Sequence, residues 1–104
     1  MQIELLVGAA SFALEEEDAW WLVHRIRETC VDDSRRPVDA EALLCLQLAD
    51  VLCEDLDAGN SPEPIELGQS HANGLTEHVL APGAVQEHEM QPLYAALLRF
   101  RGDS

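Results

Sequence analysis

The segment from Asp39 to Gly59 constrains the fold more than any other part of the sequence. Asp39 has the character of a helix N-cap, Val38 and Leu43 are placed as a hydrophobic staple across it, and Gly59 stands where a helix would stop. The helix is expected to reach about Leu56, and apolar residues cover more than half of its circumference. Its apolar positions are Ala42, Leu44, Cys45, Leu48, Ala49, Val51, Leu52, Cys53 and Leu56, and its narrow polar stripe is Gln47, Asp50 and Glu54. Such a helix must be covered on two sides.

Two other patterns precede this helix. Gln2–Val7 and Ser11–Leu14 are rich in strand-forming residues, and Gly8-Ala9-Ala10 suits a tight connection between them, so we expect an N-terminal β-hairpin. From about Glu16 to Cys30, apolar residues recur at helical spacing, and the acidic residues of the first turn lie where the helix dipole favours them. The sequence therefore predicts two strands followed by two helices.

The apolar spacing of the first half recurs after a shift of 53 positions. The shift places Ile65, Leu67, Ala72, Leu75 and Val79 on Phe12, Leu14, Ala19, Leu22 and Ile26. This spacing predicts a strand that leads into a helix twice, with a further helix after each unit. The predicted units are residues 11–57 and 64–101.

The second unit begins with a short strand, Ile65–Leu67, and ends with a helix at about Gln91–Arg101, where Pro92 suits the first turn. Asn73-Gly74 is a hairpin signal that competes with the helix predicted between them, and we favour the helix. The predicted fold is a single α+β domain over residues 1–104. A small sheet, formed by the hairpin and a third short strand, packs against about four helices in the order ββαα–βαα.

The charge balance restricts the partners. Twenty acidic residues oppose six basic ones, which gives a formal charge of −14 at pH 7. A surface this negative repels phosphate backbones, so we expect no direct nucleic-acid binding, and it favours a basic protein instead.

The hydrophobic pattern and the cysteines indicate a compartment. No apolar run is long enough to span a membrane, and the first residues lack the basic and apolar regions of a secretion signal. The three cysteines cannot all pair within one chain, and Cys45 and Cys53 fall inside an apolar helix, which suits reduced thiols. We expect a cytoplasmic protein that does not enter a membrane.

The candidate metal sites are incomplete. Glu66 is twelfth in a loop that begins at Asp55, as in an EF-hand, but Asn60 occupies the sixth position, where a calcium loop needs glycine. His71 and His78 share one face if their segment is helical, with His88 and Glu89 nearby in the sequence, but no established zinc motif is present. No nucleophile or phosphate-binding loop has its required context either. We expect no metal, no cofactor and no catalytic residue.

Trp20 and Trp21 are the remaining distinctive feature. On the helical wheel Trp20 falls about 100° from the buried line of its helix and Trp21 about 200° away, beside Glu17 and Glu28, so one of the pair is expected to face outward. Either a neighbouring helix or the hairpin covers this residue within the same chain, or it belongs to a binding surface, where exposed tryptophan is concentrated. The predicted partner-binding residues are Trp21, Trp20, Glu17, Glu28, Glu54, Asp55 and Asp57.

Three functional hypotheses follow. The first is a non-enzymatic protein–protein interaction module, homodimeric, that binds a basic protein. The second is an acidic inhibitor, such as an antitoxin, an immunity protein or a nucleic-acid mimic, that occupies a cationic site on a nuclease or DNA-binding protein. The third is a small metal-binding protein or enzyme that uses His71, His78 and nearby acids.

Overall fold

A computed structural model describes residues 1–80 and 90–102 of the chain, and it has an α+β fold in the order ββααβαα. The elements are β1 Gln2–Val7, β2 Ala10–Glu15, α1 Glu16–Thr29, α2 Ala40–Ala58, β3 Ile65–Leu67, α3 Gln69–Gly74 with a π-helical continuation at Leu75–Val79, and α4 Gln91–Arg101. The predicted fold class and element order are confirmed. The bounds of β3 and α4 match the prediction, and α2 extends two residues beyond Leu56.

The sheet has the strand order β2-β1-β3, with β1 in the centre. β1 pairs with β2 in antiparallel fashion, which places Leu5 opposite Phe12, and with β3 in parallel fashion, which places Leu5 beside Ile65. Gly8 turns the hairpin in a left-handed conformation, φ 61°, which glycine adopts at little cost. Alternate β1 side chains, Ile3, Leu5 and Val7, point into the core and are buried.

The caps of α2 are those that the sequence predicted. Asp39 Oδ1 accepts a hydrogen bond of 2.7 Å from the Ala42 backbone N–H, and Gly59 ends the helix in the left-handed conformation, φ 75°. α2 is 19 residues long. No helix within the described ranges combines the length and the apolar character needed to cross a bilayer.

α2 packs against α1 and α3, but one of its sides stays open. Six of its residues are buried, and the predicted polar stripe is exposed. Leu43 and Val51 are also exposed, so the prediction that the helix is covered on two sides holds for only part of its apolar circumference. The small three-stranded sheet and the neighbouring helices do not reach around this helix.

Asn73 and Gly74 lie in a helix, so the hairpin alternative is wrong. Gly74 has helical dihedral angles, φ −64° and ψ −43°, and it lies close to α2. A Cβ atom at this position would stand 2.6 Å from Cys45 Sγ and 3.0 Å from the Glu41 carbonyl oxygen. Glycine is required here because the two helices approach closely, not because the chain turns.

The five aligned positions of the two predicted units have matching burial. Ala19 and Ala72 are both fully buried, as are Leu22 and Leu75, and Ile26 and Val79 both lie in the core. Leu14 and Leu67 are buried at the matching strand positions, whereas Phe12 and Ile65 are both half-buried. The shared spacing therefore reflects a shared inward face, and superposition of the two units stays a prediction.

Candidate functional site

An open acidic cleft of about 590 Å³ lies where β2 leads into α1, and its lining residues are Met1, Glu15, Glu16, Glu17 and Trp20. The three glutamates are exposed, and Gln2 Nε2 donates a hydrogen bond of 2.6 Å to Glu15 Oε1. Their position at the start of α1 is locally stable because the helix dipole favours negative charge there.

Trp20 forms the aromatic wall of this cleft. Its ring packs against the hydrophobic core and stacks on the imidazole of His24, with ring centroids 6.1 Å apart and 27° between the ring planes. An aromatic face beside carboxylates is an arrangement that binds ammonium and guanidinium groups. The cleft therefore has the chemistry to accept a basic side chain.

Trp21 does not face fully outward, which corrects the expectation for the tryptophan pair. Trp20 and Trp21 are both partly buried and pack against the core. Glu17 shares the acidic cleft with Trp20, whereas Glu28 lines a different cleft of about 380 Å³ at the other end of α1. The helical wheel placed the pair by angle alone and could not include the neighbouring elements that shield Trp21.

The three predicted acids at the end of α2 occupy separate surroundings. Glu54 is exposed. Asp55 accepts a hydrogen bond of 3.1 Å from Ser61 Oγ and borders a groove of about 260 Å³ beside β3, whereas Asp57 accepts from Cys53 Sγ at 3.8 Å. The structure thus distributes the predicted partner-binding residues over several clefts and does not bring them into one patch.

The predicted partner-binding residues do not include the exposed apolar residues. Among the described residues, the large apolar side chains with the greatest exposure are Val38 at 44%, Leu43 at 45% and Val51 at 43%. Leu43 and Val51 lie on one side of α2 together with Gln47, Asp50 and Glu54, and we call these five residues the outer face of α2. The wide apolar circumference of α2 was the signal, but only the tertiary structure shows which part stays uncovered.

The predicted pair His71 and His78 is separated by the structure. His71 Nδ1 accepts a hydrogen bond of 3.0 Å from the Gly68 N–H at the start of α3, and burial lowers the pKa of its imidazole. His78 instead contacts Asp39, with 2.8 Å between Nε2 and Oδ2. The π-helical turn between Leu75 and Val79 has i→i+5 spacing, so helical periodicity no longer places positions 71 and 78 on one face. His88 and Glu89 lie outside the described residues.

One cluster within residues 1–80 and 90–102 brings three possible ligand atoms of Asp39, Glu77 and His78 within 4.8 Å of one another. The Ala42 backbone hydrogen bond, and then the His78 side chain, hold the pKa of Asp39 below its usual value. Arg101 Nη2 lies 3.1 Å from Glu77 Oε1. No sequence motif indicates this cluster, because Asp39 is nearly forty residues from the other two.

Two buried thiols lie close to this cluster. Cys30 and Cys45 are free and fully buried, and Cys45 Sγ donates a hydrogen bond of 3.9 Å to the His71 carbonyl oxygen. The interaction with the Cys45 side chain lowers the pKa of Cys30 to about 7, with smaller contributions from Thr29 and the charge of His78, whereas burial opposes the shift. The same contact and burial raise the pKa of Cys45.

No protein-family model, curated protein or solved structure matches this chain.

Proposed function

We propose that this protein is a non-enzymatic interaction module, cytoplasmic and homodimeric, that binds a basic protein through the acidic cleft at the start of α1. The observation that carries the proposal is the placement of three exposed glutamates and the Trp20 ring around one open cleft. This combination recognises an arginine or lysine side chain by charge and by the face of the ring.

The cleft and the net charge act at different ranges. A formal charge of −14 attracts a basic partner from solution and raises the rate of encounter. Glu16 and Glu17 then pair with the cationic group at close range, while the aromatic ring of Trp20 offers a cation–π contact of about 0.5–1 kcal/mol. The Trp20 ring is held by its stacking on His24 and by the core, so little conformational freedom is lost on binding.

An oligo-arginine peptide is a suitable probe for this site. We expect saturable binding by calorimetry that weakens as salt increases, because ion pairs at an exposed surface are screened. Glu16→Gln combined with Glu17→Gln is expected to weaken binding several-fold. Trp20→Leu is expected to weaken it by about two- to fivefold, the loss of one cation–π contact.

The control is a charge-matched pair of substitutions far from the cleft. Glu63 and Glu66 are exposed near β3, and Glu63→Gln combined with Glu66→Gln removes the same two charges. If this control weakens peptide binding as much as the cleft variant does, the peptide responds only to net charge and the cleft is not the docking site.

A further inference from the structure

We propose that Asp39, Glu77 and His78 form a binding site for a first-row divalent transition metal ion, with Zn²⁺ as the best match. Their ligand atoms lie within 4.8 Å of one another. Asp39 is the residue immediately before α2, and Glu77 and His78 belong to the π-helical segment Leu75–Val79, so the site connects two packed elements of the fold. π-helical turns occur frequently at functional sites.

The hydrogen bonds in the cluster hold the proposed metal-binding atoms of Asp39 and His78 close to each other. Asp39 uses Oδ1 to cap α2, which fixes the carboxylate and directs Oδ2 to His78 Nε2 at 2.8 Å. This nitrogen donates its proton to Asp39 in the metal-free protein. On metal binding the ion takes the place of that hydrogen, and the neutral imidazole carries its proton on Nδ1 instead, so Nε2 and Oδ2 both become ligands with no net release of a proton; an imidazolium would release one proton to solvent.

The donor set selects the kind of ion. One imidazole nitrogen and two carboxylates match Zn²⁺ and its first-row neighbours, whereas Ca²⁺ and Mg²⁺ favour sites made of oxygen alone. The side chains of His78, Asp39 and Glu77 are 23%, 42% and 45% exposed. Water can therefore supply the remaining ligands, which gives an open site with fewer protein ligands than a closed structural zinc centre.

The charges around the cluster have opposing effects on its affinity for a cation. Arg101 pairs with Glu77 through Nη2 and also donates a hydrogen bond to Thr76, so its positive charge lowers the affinity of a nearby cation. The formal charge of −14 on the whole chain raises the local concentration of cations. We expect micromolar affinity from this balance, weaker than a closed site with four ligands.

The experiment is a Zn²⁺ titration of the chelator-treated protein by calorimetry, followed by thermal unfolding with and without Zn²⁺. We expect one ion per chain and a higher Tm with metal, because an ion that binds only the folded state stabilises it. Asp39→Asn, Glu77→Gln and His78→Ala are each expected to weaken binding by about tenfold or more, since even groups that only orient a ligand contribute that much. Asparagine retains the helix cap, so Asp39→Asn separates ligation from folding.

Two controls exclude other ligands. His24→Ala removes an imidazole outside the cluster, and Cys53→Ser removes the thiol that is only partly buried; both are expected to leave Zn²⁺ affinity unchanged. Co²⁺ serves as a spectroscopic probe, because thiolate ligands give it an intense near-ultraviolet charge-transfer band that nitrogen and oxygen ligands do not.

Three results would each overturn the proposal. The first is the absence of saturable Zn²⁺ binding to the folded wild-type protein. The second is a loss of affinity in His24→Ala or Cys53→Ser equal to that in His78→Ala. The third is a thiolate band with Co²⁺. Binding of the oligo-arginine peptide does not depend on any of them, so failure of this site leaves the proposed function intact.

Discussion

The close approach of α3 to α2 depends on the missing side chain of Gly74. We expect Gly74→Ala to lower the free energy of unfolding by about 1–3 kcal/mol, the usual cost of an extra carbon in a packed interior. The added Cβ atom would lie 2.6 Å from Cys45 Sγ, so the buried Cys45 side chain or the helices must shift. Urea unfolding measures the loss.

A double-mutant cycle identifies the contact that causes this loss. Cys45→Ala removes the sulfur, so the added methyl group is expected to cost less in the Cys45→Ala background than in the wild type. The Glu41 carbonyl oxygen remains 3.0 Å away, which keeps part of the cost. If the free-energy changes of the two substitutions are strictly additive, the contact with Cys45 is not the cause of the stability loss.

The Cys30–Cys45 pair is expected to make the free energy of unfolding depend on pH. The pKa of Cys30 is lowered from 9.0 to about 7 in the folded protein, so the unfolded chain binds more protons between these values and stability rises with pH in that window. The increase in the free energy of unfolding is at most about 3 kcal/mol, and it is lost as the pH falls through 7. Above pH 9 the raised pKa of Cys45 reverses the trend.

Thiolate absorbance in the ultraviolet tests this dependence directly. The folded wild-type protein is expected to show one thiolate that titrates near pH 7, and Cys30→Ser is expected to lose it together with the rise in stability between pH 7 and 9. A folded protein whose thiolates all form above pH 9 would contradict the prediction.

At the scale of a single element, the stability of the first turn of α2 depends on the cap that Asp39 provides. Asp39→Ala is expected to lower the free energy of unfolding by about 1 kcal/mol because the Ala42 N–H loses its acceptor, whereas Asp39→Asn retains an acceptor and is expected to lose less. Chemical denaturation with a chelator present compares the two. Equal losses would show that the charge of Asp39, and not its capping hydrogen bond, stabilises the helix.

The elements that the sequence predicted well are those with local signals. Asp39 and Gly59 mark the ends of α2, and Pro92 lies in the first turn of α4, because caps and fixed dihedral angles act within a few residues. The sequence does not decide the role of Gly74, because glycine occurs both in tight turns and where two helices pack closely. Only the position of Cys45 in the folded chain distinguishes the two.

At the scale of the whole molecule, the candidate sites were less predictable than the elements. The sequence indicated Trp20 and Glu17, which do share a cleft, because they lie within one turn of α1. The exposure of Trp21 and the contact between Asp39 and His78 depend on how distant segments pack. Helical periodicity assigns residues to a face, but it does not show what covers that face.

The outer face of α2 is expected to hold two chains together. Exposed Leu43 and Val51 supply an apolar centre, and a twofold axis would present the same face from each chain. Two chains of −14 repel each other, so the dimer should strengthen as salt screens the charged rim that includes Asp50 and Glu54.

Sedimentation velocity at micromolar concentration, in low and in high salt, tests this dimer. Leu43→Ser combined with Val51→Ser is expected to raise the Kd of the dimer by about a thousandfold, because each substitution occurs in both chains and four apolar side chains of about 1 kcal/mol each no longer leave water. Ala13→Ser adds one hydroxyl group at an exposed position on β2 and is expected to leave association unchanged. A wild-type protein that stays monomeric in both salts would contradict the dimer, and the acidic cleft would then have to bind its partner as part of a single chain.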